Sequence, residues 1–122
     1  MPMTILLPSE RVLSGRDEGK KVRDLIRLDE LDRSRESHIC VLVSVVTYSL
    51  NASFFIGCFL DSIANLGGRR CFEEKYKFFG DEKHFHGMIE DGIYRCESIL
   101  KMRGNTNANV TTNKLSGYFR IQ

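Results

Sequence analysis

The chain has 122 residues, 42% hydrophobic and 28% charged, a balance that suits one folded domain with a real core rather than two domains or a disordered polymer. Its formal charge is only +2, so electrostatics nominate neither nucleic acid nor an anionic membrane surface as a partner. No apolar run approaches the roughly 20 residues that cross a bilayer, and the short patch Ile5–Leu7 lacks the basic flank of a secretory signal. The expected setting is cytoplasmic. Cys40, Cys58, Cys71 and Cys96 contain no CxxC pair, and Cys40, Cys58 and Cys96 lie in apolar patterns, so most read as buried free thiols rather than zinc ligands or disulfides.

Thr4–Leu7 and Arg11–Leu13, separated by Pro8-Ser9-Glu10, read as two extended pieces joined by a turn, suited to an edge hairpin. Ser14 or Asp17 then caps an amphipathic helix whose Val22, Leu25 and Ile26 share one face. Between Gly15 and Glu36 seven basic and seven acidic residues alternate closely, the pattern of a solvated face supported by local ion pairs. Ile39–Val46 is rich in β-branched residues without polar alternation and reads as a central strand covered on both faces.

Asn51 is a good helix N-cap, and the run Phe54–Ala64 is apolar on several sides until Gly67-Gly68 stop it. Cys71–Phe79, with aromatics among charges, reads as another strand ending at Gly80-Asp81. Phe85, Met88, Ile89, Ile93, Cys96, Ile99 and Leu100 recur at helical steps and define a last helix. The alternation predicts an α/β fold, a small mixed β-sheet packed against about three helices, spanning residues 1–100. Residues 101–122 form a basic, Asn/Thr-rich tail whose Leu115, Tyr118, Phe119 and Ile121 are apolar enough to dock as a strand or peptide.

The chemistry-bearing corner is Asn51-Ala52-Ser53, where the chain leaves a strand and starts a helix. The first N–H groups of a helix lack internal partners and lie at the positive end of its dipole, so an anion, or a phosphate carried on Ser53, is stabilised there. A phosphoserine adds about −1.5 to −2 charges that a partner would sense. The plainer reading is that Asn51 and Ser53 simply satisfy helix-end N–H groups. GxxxxGK[ST] and GxGxxG are both absent, which removes nucleotide binding by those devices. His84-Phe85-His86 would point its imidazoles about 200° apart on a helix, without a third ligand at metal spacing, so no metal or other cofactor is expected. With no nucleophile-elbow motif, no catalytic residue is assigned and the protein is not expected to be an enzyme.

These residues carry a family resemblance. Ser14-Gly15-Arg16-Asp17-Glu18-Gly19-Lys20-Lys21-Val22-Arg23 is similar to the GR-x-x-G helix start of the STAS-like family, relatives of the STAS domains of anti-sigma-factor antagonists. Asn51-Ala52-Ser53-Phe54-Phe55-Ile56-Gly57 resembles that family's serine-rich helix entrance, with Ser53-Phe54 matching directly and Ala52 standing in place of a second serine. The resemblance implies a non-catalytic regulatory module that binds a protein partner, for example an ATPase-type kinase, through Asn51, Ala52, Ser53 and Phe54. It further implies that phosphorylation of Ser53 controls the association. The alternative is a small-molecule or nucleotide-binding domain using the same helix N-terminus. A homodimer paired through the tail or the Phe-rich helix is a third possibility.

Overall fold

The computed structural model describes residues 3–80 and 84–108, with side chains described for all of these except 84 and 105–108. In chain order the elements are β1 (Met3–Leu6), β2 (Val12–Leu13), α1 (Arg16–Leu25), α2 (Leu28–Arg33), β3 (Ile39–Leu42), β4 (Ser49–Leu50), α3 (Ala52–Asn65), α4 (Arg69–Lys75), β5 (Tyr76–Phe79) and α5 (His84–Ala108). The fold is α/β. Among the described residues it has five helices rather than about three, and its sheets are parallel rather than mixed. β1-β3-β5 form one sheet and β2-β4 a second.

The segments before residue 14 therefore do not form a hairpin. β1 pairs with β3 from Met3↔Ile39 to Leu6↔Leu42, and β2 pairs with β4 at Val12↔Ser49 and Leu13↔Leu50. The expected central strand is central, flanked by β1 and β5, but it ends at Leu42. Val43 adds one more ladder bond, its N–H donating to the Phe79 carbonyl, and a turn closed by Thr47 N–H on the Ser44 carbonyl then leaves Val45 and Val46 exposed.

α3 is the hub. Seven successive residues, Phe54 to Leu60, are buried, because sheet and flanking helices surround it, as an all-round apolar helix requires. Phe55, Phe59, Phe72, Tyr76 and Phe78 form one aromatic cluster, with ring centroids 5.0 Å apart for Phe55–Phe59 and 5.2 Å for Phe59–Phe78. These tilted and edge-on pairings are the arrangements that ring quadrupoles favour. The helix stops where the glycines predict: Gly67, at φ 86, donates to the Ala64 carbonyl and Gly68 to that of Ile63, the paired bonds of a Schellman motif.

Two further expectations change. Arg69–Lys75 is helix, so the predicted strand from Cys71 shrinks to Tyr76–Phe79; buried Phe72 and Tyr76, four apart, had mimicked strand alternation. On α1, Val22 is buried but Leu25 is exposed; Leu28, opening α2, is the residue that fills the core. α5 buries Phe85, Ile93 and Cys96 and continues to Ala108, eight residues past the expected end of the domain. The rest of the predicted tail, 109–122, lies outside the described residues.

Candidate functional site

The Asn51–Ser53 corner is built from two β-to-α units lying side by side. The strands β2 and β4 run parallel and each leads within two residues into a helix, β2 into α1 and β4 into α3. The two N-termini are laced together. Asn51 N–H donates to the Leu13 carbonyl at 2.9 Å, Asn51 Nδ2 to Ser14 Oγ at 2.9 Å, and the Gly15 N–H to Ser53 Oγ at 3.0 Å. Gly15 adopts φ 94, a left-handed conformation that a side chain would strain, which gives the first glycine of the GR-x-x-G segment its physical reason.

Asn51 occupies the N-cap position in extended geometry, and its carbonyl takes the first helical bond, from Phe55 N–H at 3.1 Å. Its side chain, however, makes no capping bond to the α3 amides. It reaches sideways to Ser14 and accepts from Ser49 Oγ at 3.1 Å. Ser53 is exposed, yet its hydroxyl serves the other helix, accepting from the N-cap residue of α1. Ala52 is half-buried between them. Phe54, the fourth predicted binding residue, is buried against the core and presents no side chain to a partner.

Two helix dipoles thus point their positive ends at one exposed hydroxyl. α1 carries Asp17 and Glu18 in its first turn, which offset its own end, whereas the first turn of α3 has no acidic residue. Uncompensated charge there favours an added anion. Three surface clefts of about 670, 540 and 460 Å³ lie elsewhere, lined by Tyr94, Glu97 or both from α5, and none of the three touches Asn51–Phe54.

A buried charge network was hidden in the mixed-charge stretch. Arg23 of α1 is buried and its guanidinium spans four partners: Asp32 Oδ2 at 2.8 Å, Asp29 Oδ1 at 2.5 Å, Ser62 Oγ at 2.7 Å and the Cys58 carbonyl at 2.9 Å. The buried Asp32 carboxylate also accepts from Tyr76 Oη at 2.6 Å, Ser62 Oγ at 2.9 Å and Asn65 Nδ2 at 3.1 Å. Buried Lys75 closes the last turn of α2, donating to the Asp32 and Ser34 carbonyls at 3.1 and 2.9 Å, where the helix end is negative. The expectation of a solvated face fails at Arg23 and Asp32, which join α1, α2, α3 and β5 from within.

Burial would lower the Arg23 pKa, but hydrogen bonds to Asp32 and Asp29 outweigh it and raise it, so the charge is permanent. Burial and the neighbouring Asp32 carboxylate hold the Tyr76 phenol protonated well above its usual range. Burial pushes the Cys58 and Cys96 thiols each up to about 12, which makes them poor nucleophiles at neutral pH. Cys40 is half-buried and Cys71 exposed; all four cysteines are free. His38 and His86 are exposed, and the described residues hold no cluster of three or more metal-ligating side chains. No described helix is long and apolar enough to cross a membrane.

A comparison with family models, with curated proteins and with solved structures finds no significant match to this chain.

Proposed function

We propose that this chain is a STAS-like, non-catalytic regulatory module that docks on a protein partner around the start of α3, with Ser53 as a phosphorylation switch. The observation that supports it is the exposed Ser53 hydroxyl at the meeting point of the α1 and α3 N-termini. A phosphoryl group there lies at the uncompensated N-terminus of α3 beside the Gly15 N–H, and its added charge alters the surface a partner reads. Asn51 and Ala52 form the rest of the docking edge, and Phe54 contributes by seating the helix. Four free cysteines accord with a reducing, cytoplasmic setting.

Incubation with ATPase-type kinases followed by phosphosite mapping tests the switch; phosphate is expected on Ser53 and lost in Ser53→Ala. Phosphorylation that persistently spares Ser53 rejects it. The converging amides also suit a diffusible anion, the reading of a ligand-binding domain. A thermal-shift screen of nucleotides and acidic metabolites separates the two, since a ligand at 100 times its Kd adds about 2.7 kcal/mol of apparent stability.

A further inference from the structure

Among the described residues, the parallel sheet β1-β3-β5 is covered on one face only. Ile5, Val41 and Phe78 pair in one row that points into the helices, where Ile5 and Val41 are buried. Alternation sends the next row, Leu6, Leu42 and Phe79, to the opposite face, together with Thr4, Cys40 and Lys77 one step back. On that face Leu6 is 66% exposed and Phe79 52%, and the turn at the C-terminal end of the central strand exposes Val45 at 77% and Val46 at 50% beside them in the chain. Purely parallel sheets are ordinarily covered on both sides by their crossover helices, and their strands are correspondingly apolar on both faces.

We infer that this outward face is a self-association surface, covered in solution by the same face of a second copy. The exposed patch, with the adjoining turn, offers roughly 400–500 Å² of apolar surface, in the middle of the range for the largest patch on a monomer. Doubled by a twofold axis, and with a rim of Thr4, Ser44 and Lys77, it buries about 1,000–1,200 Å², the low end of specific interfaces. The association is accordingly weak and concentration-dependent. A second copy fits better than an oppositely charged partner because the two rows contain a single charge, Lys77.

Symmetry places that charge well. With the twofold axis along β3, β1 of one copy lies across from β5 of the other, so Leu6 meets Phe79 and Thr4 meets Lys77, with no like-charged pair. Cys40 and Leu42, on the central strand, face their own counterparts. Packed sheets lie about 10 Å apart, too far for a direct Cys40 disulfide but within reach of a short spacer. The Phe-rich helix is not the pairing surface: Phe54, Phe55 and Phe59 are buried within the protomer.

The test uses the full chain with Cys71→Ser, leaving Cys40 as the accessible thiol. Sedimentation velocity from low to several hundred micromolar is expected to move from the 14.0 kDa monomer toward twice that mass. A short bis-maleimide should then trap a dimer that is lost with Cys40→Ser. Leu6→Glu and Phe79→Glu, at exposed positions and checked for unchanged circular dichroism and melting, should each return the protein to monomer. A monomeric mass at every concentration overturns the inference, as does a dimer that both variants leave intact.

Discussion

Gly19 of α1 lies directly against the Phe54 carbonyl of α3, so close that a β-carbon there would collide with that oxygen and lie 2.8 Å from the Cys58 nitrogen. One turn away the relationship is reciprocated, since a β-carbon on Gly57 would strike the backbone of Arg16. The two helices touch backbone to backbone, which holds their N-termini together at Ser53.

Gly19→Ala and Gly57→Ala are each expected to destabilise by about 2–3 kcal/mol, because backbone, unlike a side-chain tip, has no rotamer with which to yield. Gly87→Ala on α5, where nothing lies within 4 Å of the added carbon, should be neutral or stabilise by up to about 1 kcal/mol through helix propensity. Urea denaturation of the three variants checks this, and equal losses at all three positions would contradict it.

The second glycine of the GR-x-x-G segment is therefore a packing residue, and this much of the fold had a visible trace in the chain. α3 and α5 were legible because their apolar periods are long and α3 is punctuated by Asn51 and Gly67-Gly68. The pairing of β1 and β2 was not, since each finds its partner 36 or 37 residues away while a neighbouring Pro-Ser-Glu suggests a local turn. Ser53 was legible as a helix-start hydroxyl, but its acceptance of the Gly15 N–H, 38 residues distant, was not. Arg23 and Asp32 looked like members of a solvated charge pattern because composition does not encode which charges meet inside.

Asp32→Ala leaves the Arg23 charge buried with fewer partners and removes the acceptor of the Tyr76, Ser62 and Asn65 donors, so a loss of about 3–5 kcal/mol is expected. Tyr76→Phe removes one hydrogen bond to the same carboxylate and should cost about 1–2 kcal/mol. In a double-mutant cycle the two losses should fall short of additive by at least about 0.5 kcal/mol, because both act through the Asp32 carboxylate. Additive losses would show that the bond to Tyr76 contributes nothing.

Stability should fall at alkaline pH. The Cys58 and Cys96 thiols are raised in the folded protein from 9.0 to about 12, and the Tyr76 phenol is raised from 10.0. Groups whose folded pKa is raised contribute fully below the unfolded value, and their contribution is lost as pH rises through the folded one. The decline therefore begins near pH 9, with a limiting slope of about 1.4 kcal/mol per pH unit for each group involved. Denaturant midpoints from pH 7 to 11 measure it, and Cys96→Ala should flatten the curve relative to the parent.

Ser53→Ala should cost about 0.5–1.5 kcal/mol by removing the acceptor of the Gly15 N–H, with the loss confined to the corner. Amide hydrogen exchange at Gly15 is the direct readout. Unchanged protection there would mean that the hydroxyl does not hold the two helix starts together.

Among the described residues, all the strand pairs join positions 36 or 37 apart, from Met3↔Ile39 and Val12↔Ser49 to Ile39↔Tyr76. Such ladders have no local nucleus, because each requires a large loop to close before any bond rewards it, so the sheet must form late and slowly relative to the helices. During synthesis the central strand waits for Tyr76–Phe79 to emerge before it gains its second neighbour. Until then the far edge of β3 carries unpaired backbone groups, so the nascent chain is at its most adhesive just before residues 76–79 arrive.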